Sequence, residues 1–153
     1  MKLSDLLDIK NITVAMKARN KNLAIEELAD LIVECNHSIK KDDLIKILLE
    51  RERLGSTGIG DGVAIPHGKV PGITEPIISF GKSESGLDFD SMDGQPVYLF
   101  FLLVAPENSA NIHLKALARI AKILKNQSLR KQLLEAKTRE DIYKVIINDD
   151  EEL

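Results

Sequence analysis

The most hydrophobic stretch of this sequence, Val97 to Ala105, places the strongest constraint on the fold. If these residues form a β-strand, both faces of the strand are apolar. Such a strand belongs in the middle of a sheet that is covered on both sides. The stretch is too short to cross a bilayer as a helix, and Pro106 ends it. We therefore expect a buried central strand with helices packed against each face of its sheet.

The rest of the chain supplies the helices that such a sheet needs. Apolar residues recur at helical spacing in five segments: 20–34, 40–53, 108–125, 128–134 and 138–147. Segments that favour strands are the β-branched residues at 12–16, the short apolar step at 63–65 and the run at 77–81. The predicted order is one strand, two helices, three strands and three helices. Helices on both faces of the sheet give a three-layer α/β/α sandwich.

Length and composition indicate one domain in a reducing compartment. The chain has 153 residues, of which 44% are hydrophobic and 29% are charged, and this suits a single domain with a sizeable core. The net charge of −3 argues against nucleic acid as a partner. A single cysteine permits no disulfide within the chain. Because the first residues are soon charged and no apolar run spans a bilayer, we expect a cytoplasmic protein without membrane insertion.

A dense run of glycines between Gly55 and Lys69 leads to one histidine. Glycines at this density allow positive φ angles and let backbone N–H groups approach an anion closely. Pro66 holds the chain extended just before His67. The spacing fits neither a P-loop, because Val70 follows Lys69, nor a dinucleotide-binding fingerprint. The residues alone leave two interpretations open: an anion cradle that ends in a reactive histidine, or a loop histidine without a role.

This stretch, with Arg51-Glu52 before it, resembles enzyme IIA of the fructose/mannitol class of the bacterial sugar phosphotransferase system. The motif is most similar to the nitrogen-regulatory branch of that family. Its sequence is Gly-Ser-Thr-Gly-Ile-Gly-Asp-Gly-Val-Ala-Ile-Pro-His-Gly-Lys. The resemblance runs from about Leu3 to Ile147. It implies a mixed sheet and a single type-2 enzyme IIA domain over 1–147, which leaves 148–153 as a frayed acidic tail.

The resemblance also implies roles for three side chains. His67 would accept a phosphoryl group on Nε2, and Arg51 would lie beside it. His113 would be the second active-site histidine, although helical spacing alone favours a histidine buried in the core. The other charged residues of 50–53 are expected to form a solvated helix end.

Phosphoryl transfer to imidazole requires a neutral ring and donors for the phosphate oxygens. Arg51 and His113 would supply such donors, and the backbone amides of Gly62 and Gly68 would complete a phosphate cradle. We expect neither a cofactor nor a metal, since the histidines and the cysteine lack zinc-site spacing. A serine hydrolase is disfavoured because the nucleophile-elbow motif is missing from the sequence.

We therefore predict a phosphotransferase that works as a phosphocarrier. His67 would take phosphate from the phosphohistidine of an HPr-type protein, as in a nitrogen-regulatory enzyme IIA. One alternative is a fructose/mannitol-type enzyme IIA that passes phosphate to enzyme IIB for sugar uptake. Another is a purely regulatory module that docks on a target protein according to the phosphorylation state of His67. Partners would dock on a shallow apolar surface around His67, with Ile59, Val63 and Val70 as candidates.

Overall fold

The computed structural model describes residues 1–148 and 153, and the helices and strands follow one another along the chain in this way. The elements are α1 (Leu3–Leu6), β1 (Leu7–Thr13), α2 (Lys21–Cys35), α3 (Lys41–Arg53), β2 (Gly58–Gly60), β3 (Val63–Ala64), β4 (His67–Val70), β5 (Ile77–Leu87), β6 (Val97–Pro106), α4 (Ala110–Leu124), α5 (Gln127–Glu135) and α6 (Arg139–Asn148).

The strands form one mixed sheet with the order β1-β5-β6-β3-β2, and β4 also pairs with β6. Strand β6 runs antiparallel to β5 and parallel to both β3 and β4. Strands β3 and β4 therefore lie end to end along the same edge of β6. Strand β1 closes the other side of the sheet by pairing in parallel with β5. The predicted mixed sheet is confirmed.

The predicted central strand is β6, and its side chains alternate between two separate cores. The first core contains α4, α5 and α6, and the second contains α2 and α3. The alternating, fully buried residues of β6 are Leu99, Phe101 and Leu103 in the first core and Phe100, Leu102 and Val104 in the second. Because each face of the sheet is covered by helices, the three-layer α/β/α architecture is confirmed.

Several strands differ from their predicted bounds. Strand β1 begins at Leu7, five residues before the predicted 12–16 segment. The prediction missed its first half because most of residues 8–11 are polar. Strand β5 continues to Leu87, beyond the predicted end at 81. Five strands follow α3 instead of three, because the glycine-rich stretch folds into β2, β3 and β4.

The glycine-rich stretch begins as a β-hairpin. Strands β2 and β3 are antiparallel, and Gly60 pairs with Val63 across a two-residue loop. The loop residues Asp61 and Gly62 both have positive φ angles, of 57° and 77°. A two-residue hairpin of type I′ requires positive φ at both positions, and Asp-Gly is a preferred pair for it. These glycines thus serve strand pairing in addition to any contact with an anion.

The end of the chain lies against its beginning. Helix α6 ends at Asn148, and residues 149–152 of the predicted acidic tail lie outside the described residues. The backbone N–H of Leu153 donates a hydrogen bond to the carbonyl of Met1 at 2.8 Å. Within the described part of the chain, no helix has the length and apolarity needed to traverse a membrane.

Candidate functional site

Three of the predicted site residues meet at β4. His67 is the first residue of β4, Arg51 lies in the last turn of α3 and His113 lies in the first turn of α4. The Nε–H of Arg51 donates to Nε2 of His67 at 3.3 Å. The imidazole rings of His67 and His113 contact each other edge to face, with centroids 5.4 Å apart.

The two neighbours of His67 come from opposite sides of the sheet. Helix α3 belongs to the core that covers one face, and α4 belongs to the core that covers the other. His67 is level with Leu103 of β6, shortly before that strand ends and leads into α4. The site therefore sits at the edge of the sheet where the two helical layers approach each other.

Gly68 lets β4 approach α3 closely. A Cβ atom at this position would lie 2.9 Å from Cγ2 of Ile47 and 3.3 Å from Cδ2 of Leu48. Real Cβ atoms do not tolerate the shorter of these distances, so a larger residue would force β4 and α3 apart. The glycine after His67 thereby keeps the histidine within reach of Arg51.

Hydrogen bonds define the tautomer of His67. Its Nδ1 lies 2.9 Å from the carbonyl oxygen of Ile65, which can only accept, so Nδ1 carries the proton. Its Nε2 faces Arg51, which can only donate, so Nε2 carries the lone pair. Burial lowers the pKa of His67, and the Arg51 charge lowers it further, while the Ile65 carbonyl acts in the opposite direction. The ring is therefore neutral at pH 7 and has a nucleophilic Nε2.

His113 is a buried, neutral histidine. Burial is the main cause that lowers its pKa to about 4, and the charges of His67 and Lys69 add to the effect. Its Nδ1 is buried and has no hydrogen-bond partner. A buried polar atom without a partner costs free energy unless a ligand satisfies it. Among residues 1–148 and 153, no group of three or more His, Cys, Asp or Glu side chains could hold a metal ion.

Glu52 is a residue of this region that the sequence interpretation missed. The sequence predicts a solvated helix end at this position, but only 7% of Glu52 is exposed. Its carboxylate accepts hydrogen bonds from the backbone N–H of Thr57 at 3.2 Å and from the Thr57 hydroxyl, and pairs with Lys21 at 2.9 Å. The signal was available, since Glu52 continues the four-residue spacing of the buried Leu44 and Leu48.

The structure does not bring Gly62 to the histidines. The Gly62 carbonyl accepts from the backbone N–H groups of Tyr98 and Leu99, near the beginning of β6. His67 pairs four residues further along β6, at Leu103, which corresponds to about 13 Å of strand. Gly62 therefore lies too far from Nε2 of His67 to donate to a phosphate bound there.

The expected apolar surface also needs correction. Val63 and Val70 are buried in the two cores, on opposite sides of the sheet, so neither can contact a partner. Ile59 is 41% exposed and stays a candidate. Successive side chains of a β-strand point to opposite faces, and because helices cover both faces of this sheet, both valines enter a core.

The chain matches a known family over nearly all its length. Residues 5–149 match the family described as "Phosphoenolpyruvate-dependent sugar phosphotransferase system, EIIA 2". A nitrogen regulatory protein of Bradyrhizobium diazoefficiens is 42% identical over 146 residues, which cover 95% of this chain and 95% of that protein. The fructose-specific EIIABC component of Bacillus subtilis is 37% identical over 98% of this chain, which spans 24% of that longer protein.

Solved structures show the same fold. The nitrogen regulatory protein IIA-Ntr of Neisseria meningitidis has a TM-score of 0.89 and 33% identity, covering 94% of this chain and 98% of its own. Mannitol enzyme IIA of Escherichia coli, in complex with phosphorylated mannitol enzyme IIB, has a TM-score of 0.78. At 20% identity, over 94% of this chain and 99% of the matched one, this second likeness concerns the fold alone.

Proposed function

Because the chain belongs to the EIIA 2 family of the phosphoenolpyruvate-dependent sugar phosphotransferase system, we propose that it carries a phosphoryl group on Nε2 of His67. The observation that carries this proposal is the orientation of the ring. Nδ1–H is held by the carbonyl of Ile65, and the lone pair on Nε2 faces a guanidinium. A neutral imidazole with its lone pair beside a fixed positive charge suits attack on phosphorus.

In the proposed step, the Nε2 lone pair of His67 forms a bond to the phosphorus of a donor phosphohistidine. The donor N–P bond breaks, and its electron pair stays on the donor ring nitrogen. The proton on Nδ1 of His67 is retained, so the phosphorylated ring is positively charged. The Ile65 carbonyl stabilises that charge, and the charged ring is a good leaving group for the transfer that follows.

Arg51 and His113 would hold the transferring group. The Nε–H of Arg51, which points at Nε2 in the unphosphorylated protein, would turn to an equatorial phosphate oxygen. The unpaired Nδ1 of His113, in the tautomer that carries the proton there, would donate to another. Lys69 adds positive charge near His113. The amide of Gly68 stays a predicted donor, and Gly62 is no longer part of the proposed cradle.

The proposed donor is an HPr-type phosphocarrier, and the proposed branch is nitrogen regulation. The 42% identity to a nitrogen regulatory protein and the TM-score of 0.89 to another support this branch. In it, the phosphorylation state of His67 would control docking to a regulatory target. Sugar uptake is the second candidate, in which the phosphate passes to an enzyme IIB, and 37% identity to a fructose-specific component supports it.

Labelling tests the acceptor assignment. The protein is incubated with labelled phosphoenolpyruvate, enzyme I and HPr, and an acid-labile, base-stable adduct is expected. His67→Ala should abolish it, and His37→Ala, which changes an exposed histidine, should not. Full labelling of His67→Ala would show that the acceptor is wrong.

A chase distinguishes the two branches. The phosphorylated protein is mixed with the cytoplasmic enzyme IIB part of a fructose system. Retention of the label on this protein is the result expected for the nitrogen-regulatory branch. Rapid transfer to enzyme IIB would instead favour sugar uptake.

A further inference from the structure

Glu52 is a buried carboxylate next to the site that does not contact either histidine. Three donors converge on its two oxygens: the N–H and hydroxyl of Thr57 and the ammonium of Lys21. Thr57 is 4% exposed, so these bonds are shielded from water. A buried carboxylate with several donors is strongly held, and its bonds to charged or hydroxyl groups are shorter and stronger than neutral ones.

From Thr57 a chain of hydrogen bonds leads to the reactive ring. The Thr57 carbonyl accepts from the N–H of Ile65 at 3.0 Å. The Ile65 carbonyl in turn accepts from Nδ1–H of His67 at 2.9 Å. Pro66 lies between these last two residues and stiffens the connection. Glu52 therefore fixes the peptide segment that decides which nitrogen of His67 holds the proton.

The loop 55–57, which contains Thr57, also orients Arg51. Nη1 of Arg51 donates to the carbonyl of Gly55 at 2.9 Å, while its Nε–H reaches His67. The N–H of Gly55 donates to the backbone carbonyl of Glu52 at 3.2 Å. The loop 55–57 is thus attached to α3 at both of its ends. Its Gly55 contacts Arg51, and its Thr57 contacts Ile65, whose carbonyl accepts from His67.

We infer that Glu52 is a positioning residue for phosphoryl transfer: by clamping loop 55–57 to α3 it holds His67 in the Nδ1–H tautomer and Arg51 against Nε2. This inference rests on the proposed function. Lys21 is part of the same device, because it completes the set of donors around the carboxylate and draws α2 against the end of α3.

The test uses four variants of the whole chain described above. Glu52→Gln keeps the shape but replaces one acceptor oxygen with a donor, which meets the donors of Thr57 or Lys21. Thr57→Val removes the hydroxyl at nearly constant volume, and Thr57→Ser restores it. Glu50→Gln is the matched control, since Glu50 is an exposed carboxylate of the same helix turn. Circular dichroism and thermal melting establish that each variant is folded.

Two readouts are compared. The ¹⁵N chemical shifts of the His67 ring report the tautomer without any phosphodonor, and single-turnover transfer from phosphorylated HPr reports the rate. We expect Glu52→Gln and Thr57→Val to move the ring shifts towards a mixture of tautomers. We expect them also to slow transfer by about tenfold or more, while Thr57→Ser and Glu50→Gln resemble the wild type.

The outcomes separate the inference from the proposed function. Folded Glu52→Gln and Thr57→Val proteins with wild-type ring shifts and wild-type rates would overturn the positioning role. If Glu52→Gln does not fold, the Thr57→Val and Thr57→Ser pair decides alone. If the wild type accepts no phosphate, the proposed function fails, but the ring shifts still show whether Glu52 sets the tautomer.

Discussion

At the scale of a single residue, the reactivity of His67 depends on what each ring nitrogen contacts. Burial and the charge of Arg51 both keep the pKa of the ring below its ordinary value of 6.5. The lowered pKa keeps Nε2 unprotonated, and an unprotonated Nε2 is needed because protonation would remove the lone pair that attacks phosphorus. The rate at which the wild-type protein accepts phosphate should therefore fall to half its maximum at a pH below 6.5.

Replacement of Arg51 tests this balance. We expect Arg51→Ala to slow phosphoryl transfer by roughly 10²-fold, because a charge-assisted contact to the phosphate is lost. The pKa of His67 should rise in the same variant, since a neighbouring positive charge has been removed. An NMR titration of the ring and rapid-quench kinetics measure the two effects. Arg53→Ala, an exposed arginine two residues further on, is the control, and equal behaviour of the two variants would exclude the contact.

At the scale of elements, the contact between β4 and α3 sets the geometry of the site. Gly68→Ala should destabilise the protein by about 1–3 kcal/mol and slow transfer, because its Cβ would collide with Cγ2 of Ile47. Adding Ile47→Ala removes the colliding methyl group. The double variant should recover the rate of transfer relative to Gly68→Ala. Denaturant unfolding measures the change in stability, and transfer kinetics measure the rate. No recovery would mean that the contact with Ile47 is not the reason for the glycine at this position.

A second contact between elements joins β5 to α5. Lys82 is only 6% exposed, and its ammonium donates to the carbonyls of Leu134 and Ala136 at the end of α5. Lys82→Met would leave these carbonyls without that donor, and we expect it to cost about 1–3 kcal/mol of stability. Urea unfolding measures the loss. Lys137→Met, which alters an exposed lysine nearby, should stay within about 0.5 kcal/mol of the wild type.

The same elements show how far the sequence predicts the structure. The apolar residues on both faces of β6 and the helical periodicities were sufficient to predict the three-layer architecture. Both patterns arise directly from burial of apolar side chains in the two cores. The strands β2 and β4 were not predictable from apolar periodicity, since glycine and lysine occupy much of them. Asp61-Gly62 carried a hairpin signal, but the density of glycines around it suggested an anion cradle.

The site was predictable only in part. His67, Arg51 and His113 were named from the family resemblance, and spacing alone did not distinguish His113 from a core histidine. The role of Glu52 depends on Lys21 of α2 and on Thr57 of the loop after α3, and sequence spacing cannot reveal such tertiary contacts. The sequence groups Gly62 with His67 because the two are close along the chain. In the structure the extended strands β3 and β4 lie end to end and separate the two residues.

At the scale of the whole molecule, buried histidines make stability depend on pH. His113 has a pKa of about 4 in the folded protein and about 6.5 in the unfolded chain. Between these values only the unfolded chain takes up the proton, so stability is complete above pH 6.5 and falls as the pH decreases towards 4. His67 acts in the same direction.

We expect His113 to account for about 2 kcal/mol of lost stability between pH 7 and pH 5. Urea unfolding at the two pH values, with wild type and His113→Gln compared, isolates this contribution from that of the carboxylates. The wild type should lose about 2 kcal/mol more than the variant. Parallel pH profiles for the two proteins would mean that His113 is not kept neutral by the fold.

The assembly of the site from both sides of the sheet makes phosphorylation depend on complete folding. A chain in which α3 has not docked lacks Arg51 at the proposed acceptor His67, and a chain in which α4 has not docked lacks His113 there. Chemical competence would therefore arrive last during folding, after both halves of the molecule have closed on β6. An incompletely folded copy would therefore accept phosphate much more slowly, and the phosphorylated population would consist mainly of native molecules.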